Sequence, residues 1–372
     1  MTEGETHHGF RVTCVTPVPE LRATAYELVH VRTGARLLHL HCADKENLFS
    51  INIPTPPQDN TGLPHILEHA VLAGSRKYPV RDTLFEILKL SVGTFINAMT
   101  GEDCTYYPVA SNVKKDLFNL ADVYTDAVFA PLLETETFAR EGYHLKPPPP
   151  GDSEGVPEVD GIVFNEMKAA FSQPEEKLER VLMQHLLPET FYGFESGGDP
   201  EAIPDLTYET FAAYHRTYYH PSNAYIVCYG DISPFDYLAF LEDKFSGFAR
   251  RTPPFHPRHH PRWRSPQCRR TSYPVEADAA TENSTFHVLG WLAGDTLAAS
   301  EQIAMDILAL ILFGNDAAPL KKRLIDEQVG SDLLLAGAAG SGPDIVFSVG
   351  VKGSEPDLAD HFVHTVTSCL QE

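Results

Sequence analysis

The sequence predicts an α+β fold: one full unit of strands and helices, then part of a second. Three observations predict it. Short apolar runs bounded by turn residues fill 23–53 and 94–109, the mark of strands. Apolar residues at helical spacing follow at Leu117, Leu120, Ala121, Tyr124 and Val128. A stretch rich in proline and arginine, 250–274, then separates a second, shorter strand–helix series, and such composition reads as a linker. The expected division is 1–249, 250–274 and 275–372.

Along the chain, 23–31 and 35–42 flank Thr33-Gly34 and suggest a hairpin, with 48–53 as a third strand. A loop of Pro, Gln, Asp, Asn and Gly then turns helical. Asp82 stands as N-cap of a helix with Leu84, Ile87 and Leu88 on one face. The strand-like 94–99 and 104–109 meet at a Gly101-Glu102-Asp103 turn, and a helix covers 113–129. Residues 147–160 form a surface excursion. Gly161 to Phe164 close an extended segment feeding a long helix, 165–187, with Asn165 as its cap. A helix over 207–219, a strand over 224–229 and a helix over 234–245 follow. The 250–274 stretch holds seven arginines and three histidines and reads as a solvated linker, with no acidic partners to make His256, His259 and His260 a metal site. Beyond it come a strand (284–292), helices over 301–313 and 319–327, a strand (345–351) and a terminal helix from Pro356. This order echoes 47–187 loosely.

A length of 372 residues suits two or three domains, and 43% hydrophobic with 22% charged residues is an ordinary globular composition. Lys and Arg number 29 against 51 Asp and Glu, a net charge of −22, the wrong balance for a surface built to hold nucleic acid. Six scattered cysteines form no CxxC pair, which argues against a Cys-based zinc site or a disulfide framework and for free thiols in a reducing compartment. The first residues have neither a basic-then-apolar signal nor an Arg-rich transit character, so the expected location is cytoplasmic. No membrane is implied, because the longest apolar run, 307–313, is far short of the ~20 residues a span needs.

The sharpest local signal is His65-Ile66-Leu67-Glu68-His69, just after Pro64, a residue suited to a helix's first turn. Positions four apart share a helix face, so His65 and His69 can point at one ion. Two neutral imidazoles suit zinc. Glu68 borders them without being forced into the ligand set, the place for a general base acting on a bound water. A catalytic zinc needs a third protein ligand and an open position. From the residues alone many carboxylates can serve.

The blocks GLPHILEHAVLAGSRKYPVRD, TFINAMTGEDCTYYPVAS, GIVFNEMKAAF and YGFESGGDPEAIPDLTYETFAAYHRTYYHPSNA, in that order, resemble the inverted-motif zinc peptidases of the pitrilysin–insulysin group, most closely their presequence-protease branch. The resemblance is dense over 25–245 and weak beyond. It implies two-layer units of mainly antiparallel sheet with helices packed on one face. It implies one zinc per chain, with Glu166 as third ligand, 97 positions beyond His69. It also implies that Asn97 and Ala98 lie where an extended substrate pairs with a sheet edge. Tyr106 and Tyr107 read as sheet or core residues, and the Ser196–Pro200 loop as structural. His144, His185, His215 and His220 read as packing or surface histidines.

Relatives of this kind have two similar halves around a chamber, and the second half supplies an arginine and a tyrosine toward substrate. Nothing here matches that half, so the chain reads as an N-terminal portion with low activity alone. The implied function is zinc-dependent cleavage of unstructured peptides, with the missing C-terminal half or a homologous half-subunit as partner. The alternative is a non-catalytic peptide-binding or assembly subunit of a processing-peptidase-like complex.

Overall fold

In the computed structural model, residues 1–148, 155–252, 256–275, 278 and 281–372 are described. They divide into two compact α+β units, Met1–Met167 with Ser196–His256, and Lys168–Glu195 with Pro257–Glu372.

The first unit is built on a nine-stranded sheet. Its order is Thr6–His7, Phe10–Val18, Ala23–His30, Arg36–His41, Tyr225–Gly230, Asn47–Pro54, Cys104–Ser111 and Phe95–Ile96, with Met99–Thr100 also pairing Cys104–Ser111. Every pairing is antiparallel except that of Tyr225–Gly230 with Arg36–His41. Side chains alternate across the sheet. Phe49, Ile51, Ile53, Tyr107 and Val109 share one face and are fully buried, while Tyr106 between them is 38% exposed. The buried face carries the helix Lys114–Phe129 through Leu117, Leu120, Tyr124 and Val128. Burying a side chain of this size contributes roughly 1.5–3 kcal/mol, which makes this layer the unit's core.

Three local expectations need correction. Strands begin at Thr6, not at 23: Phe10–Val18 alternates Phe10 and Val12 inward, and its Pro17, which cannot donate to a ladder, masks the signal. The Asp82 side chain makes no cap hydrogen bond; its carbonyl accepts from Glu86 N at 3.1 Å. The long helix is two, Ile162–Ala170 and Pro174–Leu186, broken because Pro174 has no N–H to continue the ladder and favours a first turn. Asn165 therefore lies inside a helix, where its Nδ2 donates to Asp160 Oδ1 at 2.7 Å.

The second unit has a three-stranded antiparallel sheet ordered Thr285–Asp295, Asp344–Ser354, Asp332–Ser341. Leu312, Leu320, Leu324, Val349 and Phe362 form its core. Asp332–Ser341 is a further strand that its Gly/Ala-rich sequence conceals. Lys168–Glu195, expected in the first unit, joins the second because Leu186 and Leu187 pack with Tyr192 and Val346. The expected linker is also partly built in. Asp344, fully buried, needs donors, and it takes the His260 backbone N–H at 2.8 Å and His259 Nδ1 at 3.1 Å. Within the surface excursion, His144–Lys146 pairs with Glu158–Asp160, while 149–154 lie outside the described residues, as do 253–255 of the linker.

Burial gives this fold a pH dependence. Burial, then the charge of His41, pushes His39 down to about 3, and burial pushes His215 down to about 4. Both stay neutral when folded, whereas an unfolded histidine protonates near 6.5. Their stabilisation is complete above pH ~6.5 and is lost as pH falls toward the folded values, about 2 kcal/mol each by pH 5. Calorimetric melting midpoints should therefore drop between pH 7 and pH 5. A flat profile there counts against the two buried neutral imidazoles.

Among the described residues, no helix is long and apolar enough to cross a membrane.

Candidate metal centre

The helix Leu63–Val71 presents the histidine pair. Ile66, Leu67, Ala70 and Val71 are buried at 0–1% exposure, which fixes the rotation of the helix and leaves His65 and His69 on the other side. Its entry depends on glycine. Gly62 has φ +68°, and a Cβ there would meet the Gly197 carbonyl oxygen at 2.6 Å and Gly198 Cα at 2.7 Å. The Ser196–Pro200 loop thus seats the start of this helix.

His65, His69 and Glu166 offer ligand atoms that all lie within 4.8 Å of one another. Glu166 Oε2 stands 3.8 Å from His65 Nε2 and 3.9 Å from His69 Nε2. Bonds of ~2.0–2.1 Å in a tetrahedral site hold ligand atoms about 3.3 Å apart, so a small closure suffices. The Glu166 side chain, 55% exposed, has room to take its share of that closure. Among the described residues no other group of metal-type side chains converges in this way, and His259 is instead paired with Asp344 and Asp295.

Outer partners set both tautomers. His65 Nδ1 is 3.1 Å from the Gly197 carbonyl, which only accepts, so that nitrogen carries the proton and Nε2 keeps its lone pair. His69 Nδ1 faces Glu141 Oε2 at 3.3 Å with the same consequence. The loop assigned no chemistry from sequence therefore meets His65 through its backbone. Glu141, which sequence reasoning missed, ends a seven-residue helix, Thr135–Glu141, whose only cue is the Gly142 stop. A histidine ligand that needs an acceptor for its second nitrogen is a signal for such a carboxylate, but one that names no position.

The electrostatics favour a cation. Burial opposes charge on His69, but the Glu141 hydrogen bond and the charges of Glu68, Glu141 and Glu166 outweigh it and raise its pKa. Burial raises the Glu141 carboxyl, yet its hydrogen bonds to His69 and Arg140 more than reverse this. Two imidazoles and the Glu166 carboxylate are a donor set that zinc fits, and Glu68 and Glu141 add negative charge around it.

Glu68 is 7% exposed and its Oε2 accepts from Thr100 Oγ1 at 2.6 Å. Asn97, exposed, and Ala98, half-buried, link Phe95–Ile96 to Met99–Thr100 at the last position of the sheet. Asn97 N donates to Pro108 O at 3.3 Å, and its carbonyl accepts from Tyr124 OH at 3.2 Å. Tyr107 is core, bonded to Tyr219 OH at 2.9 Å, and Tyr106 lies on the open sheet face.

The family described as Insulinase (Peptidase family M16) matches residues 55–146, and that described as Peptidase M16 inactive domain matches 205–372. Glu166 falls between the two matches. The mitochondrial presequence protease of Xenopus laevis is 39% identical over 372 residues, covering 99% of this chain and 36% of its own length. That of Mus musculus is 40% identical over 366 residues, covering 98% and 35%. The chain thus spans about a third of the curated relatives it matches. In fold it is similar to the crystal structure of a putative M16-like peptidase from Alicyclobacillus acidocaldarius, with TM-score 0.66 and 17% identity over 96% of this chain and 80% of that one.

Proposed function

We propose, for a chain that belongs to the M16 insulinase/pitrilysin family, that it is the zinc-binding part of a presequence-protease-like metalloendopeptidase that cleaves unstructured peptides. The observation that carries this reading is the approach of His65 Nε2, His69 Nε2 and Glu166 Oε2 beside a sheltered Glu68. Zinc held by these three would polarise the scissile carbonyl and lower the pKa of a bound water toward ~7.

The remaining work belongs to the chain's own groups. Glu68 takes the water's proton and returns it to the leaving amine. Its Oε2 is occupied by Thr100; among the described residues its Oε1 accepts no hydrogen bond and is free for this task. Phe95–Ile96 ends the sheet, so an extended peptide can add as a further strand beside Asn97 and Ala98. Affinity then comes from main-chain hydrogen bonds, which suits broad side-chain specificity. A net charge of −22 favours gathering basic peptides. The proposed companion is a second half of the family's type, closing a chamber that folded proteins cannot enter. Free cysteines throughout the chain suit a reducing compartment. The cytoplasm is the one proposed, although the named relatives are mitochondrial.

The test is cleavage of a quenched, unstructured peptide by the full chain, before and after chelation. Activity should vanish with the metal and return with about one equivalent of zinc. Cleavage that survives complete metal removal rejects the reading, and peptide binding without any cleavage supports the assembly-subunit alternative.

A further inference from the structure

We infer that Thr100 is a positioning residue for the proposed general base, an inference that rests on the function proposed above. Glu68 is nearly buried, yet only one of its carboxylate oxygens is held. That hold is the Thr100 hydroxyl, whose Oγ1 donates to Oε2 at 2.6 Å. A donor on a carboxylate makes a charge-assisted hydrogen bond, stronger than a neutral one. With Oε2 pinned, rotation about the last side-chain bond is arrested and Oε1 faces one direction. Without it, a glutamate has three rotatable bonds and, among the described residues, no other hydrogen bond to aim its carboxylate.

The anchor behind Thr100 is rigid. Its register partner on the neighbouring strand is Thr105, fully buried, whose Oγ1 lies 2.7 Å from Thr55 Oγ1. Thr55 in turn opens the segment that leads into the helix carrying Glu68. The hydroxyl and the carboxylate it holds are therefore tied to the same stretch of sheet. Met99–Thr100 also continues directly from Asn97 and Ala98, so the strand that aims the base adjoins the segment proposed to receive the peptide. Misaiming a reacting group by about 1 Å costs on the order of 100-fold in rate, and the hydroxyl prevents that error.

Two variants test this. Thr100→Val keeps the β-branched shape and removes the donor; Thr100→Ser keeps the donor. In the full chain, Thr100→Val should lower kcat for a quenched unstructured peptide by about 10–100-fold with KM within about twofold, and Thr100→Ser should recover most of it. Zinc affinity, measured by competition with a chromogenic chelator, should be the same in all three proteins. Crystals of Thr100→Val should show the Glu68 carboxylate moved from its wild-type rotamer or divided between two. An unmoved Glu68 with normal kcat overturns the inference. So does an equal loss in Val and Ser, or a loss that follows zinc affinity, since each marks a structural role. If the wild-type chain binds zinc but cleaves nothing even with a second half of the family's type supplied, the proposed function fails, and the Glu68 rotamer in Thr100→Val still decides the inference.

Discussion

Glu68→Gln should bind zinc like the wild type and lose about 10²–10⁴-fold of peptide cleavage, the usual worth of a positioned general base. The two halves of that result have separate origins. Zinc retention follows from geometry, because the converging ligand atoms belong to His65, His69 and Glu166, and Glu68 is not among them. Its carboxylate is turned instead toward Thr100. Loss of cleavage follows from chemistry. A glutamine amide has the shape of a carboxylate and still accepts the Thr100 hydrogen bond through its carbonyl oxygen, but it has almost no affinity for a proton. The substitution should therefore be silent in circular dichroism, in melting temperature and in zinc stoichiometry. Normal cleavage by this variant would mean that another group takes the proton. Zinc loss would instead place Glu68 in the ligand set or in the packing beneath it. If the protein is a peptide-binding subunit, Glu68→Gln should change neither peptide affinity nor any turnover.

How much of this was legible beforehand depends on the range of each interaction. His65 and His69 are four apart on one helix, so spacing alone brings them together, and Pro64 marks where that helix starts. Glu166 is different. Nothing local distinguishes it among 51 acidic residues, and only the resemblance of its block to a family pointed to it. Glu141 and the Gly197 carbonyl were invisible for the same reason, because they are tertiary partners 72 and 132 positions from the histidines they orient. A backbone carbonyl has no sequence signature at all. The fold shows the same division. Hairpins such as Ala23–His30 with Arg36–His41 follow from local alternation, as does the helix Lys114–Phe129. The break at Pro174 was readable, but apolar periodicity on both sides concealed it. The attachment of Pro174–Leu186 to the second unit is a packing fact that no local pattern encodes.

Removing the distant carboxylate should be among the most damaging changes to metal binding. Glu166→Ala leaves two imidazole donors on one helix, too few for the four-coordinate geometry zinc prefers. Glu141→Gln keeps all three proposed ligands and removes the charge behind His69. Gln still offers an amide oxygen to Nδ1, so the tautomer survives while the ligand becomes less basic, and affinity should fall by about 10–100-fold. Glu166→Ala should fall well beyond that range, with His65→Ala alongside it. Chelator competition on the three variants gives the ranking directly, and melting temperatures without metal show whether the apo fold is intact. Glu166, 55% exposed, has little packing to lose, so its loss should leave the apo melting point near wild type. Glu141 is buried and bonded to Arg140 at 2.8 Å, so its replacement should lower that melting point as well. The two measurements thus move in opposite order across the pair. If Glu166→Ala retains zinc as well as Glu141→Gln does, Glu166 is not a ligand, and the exposed carboxylate 3.8 Å from His65 is only a neighbour.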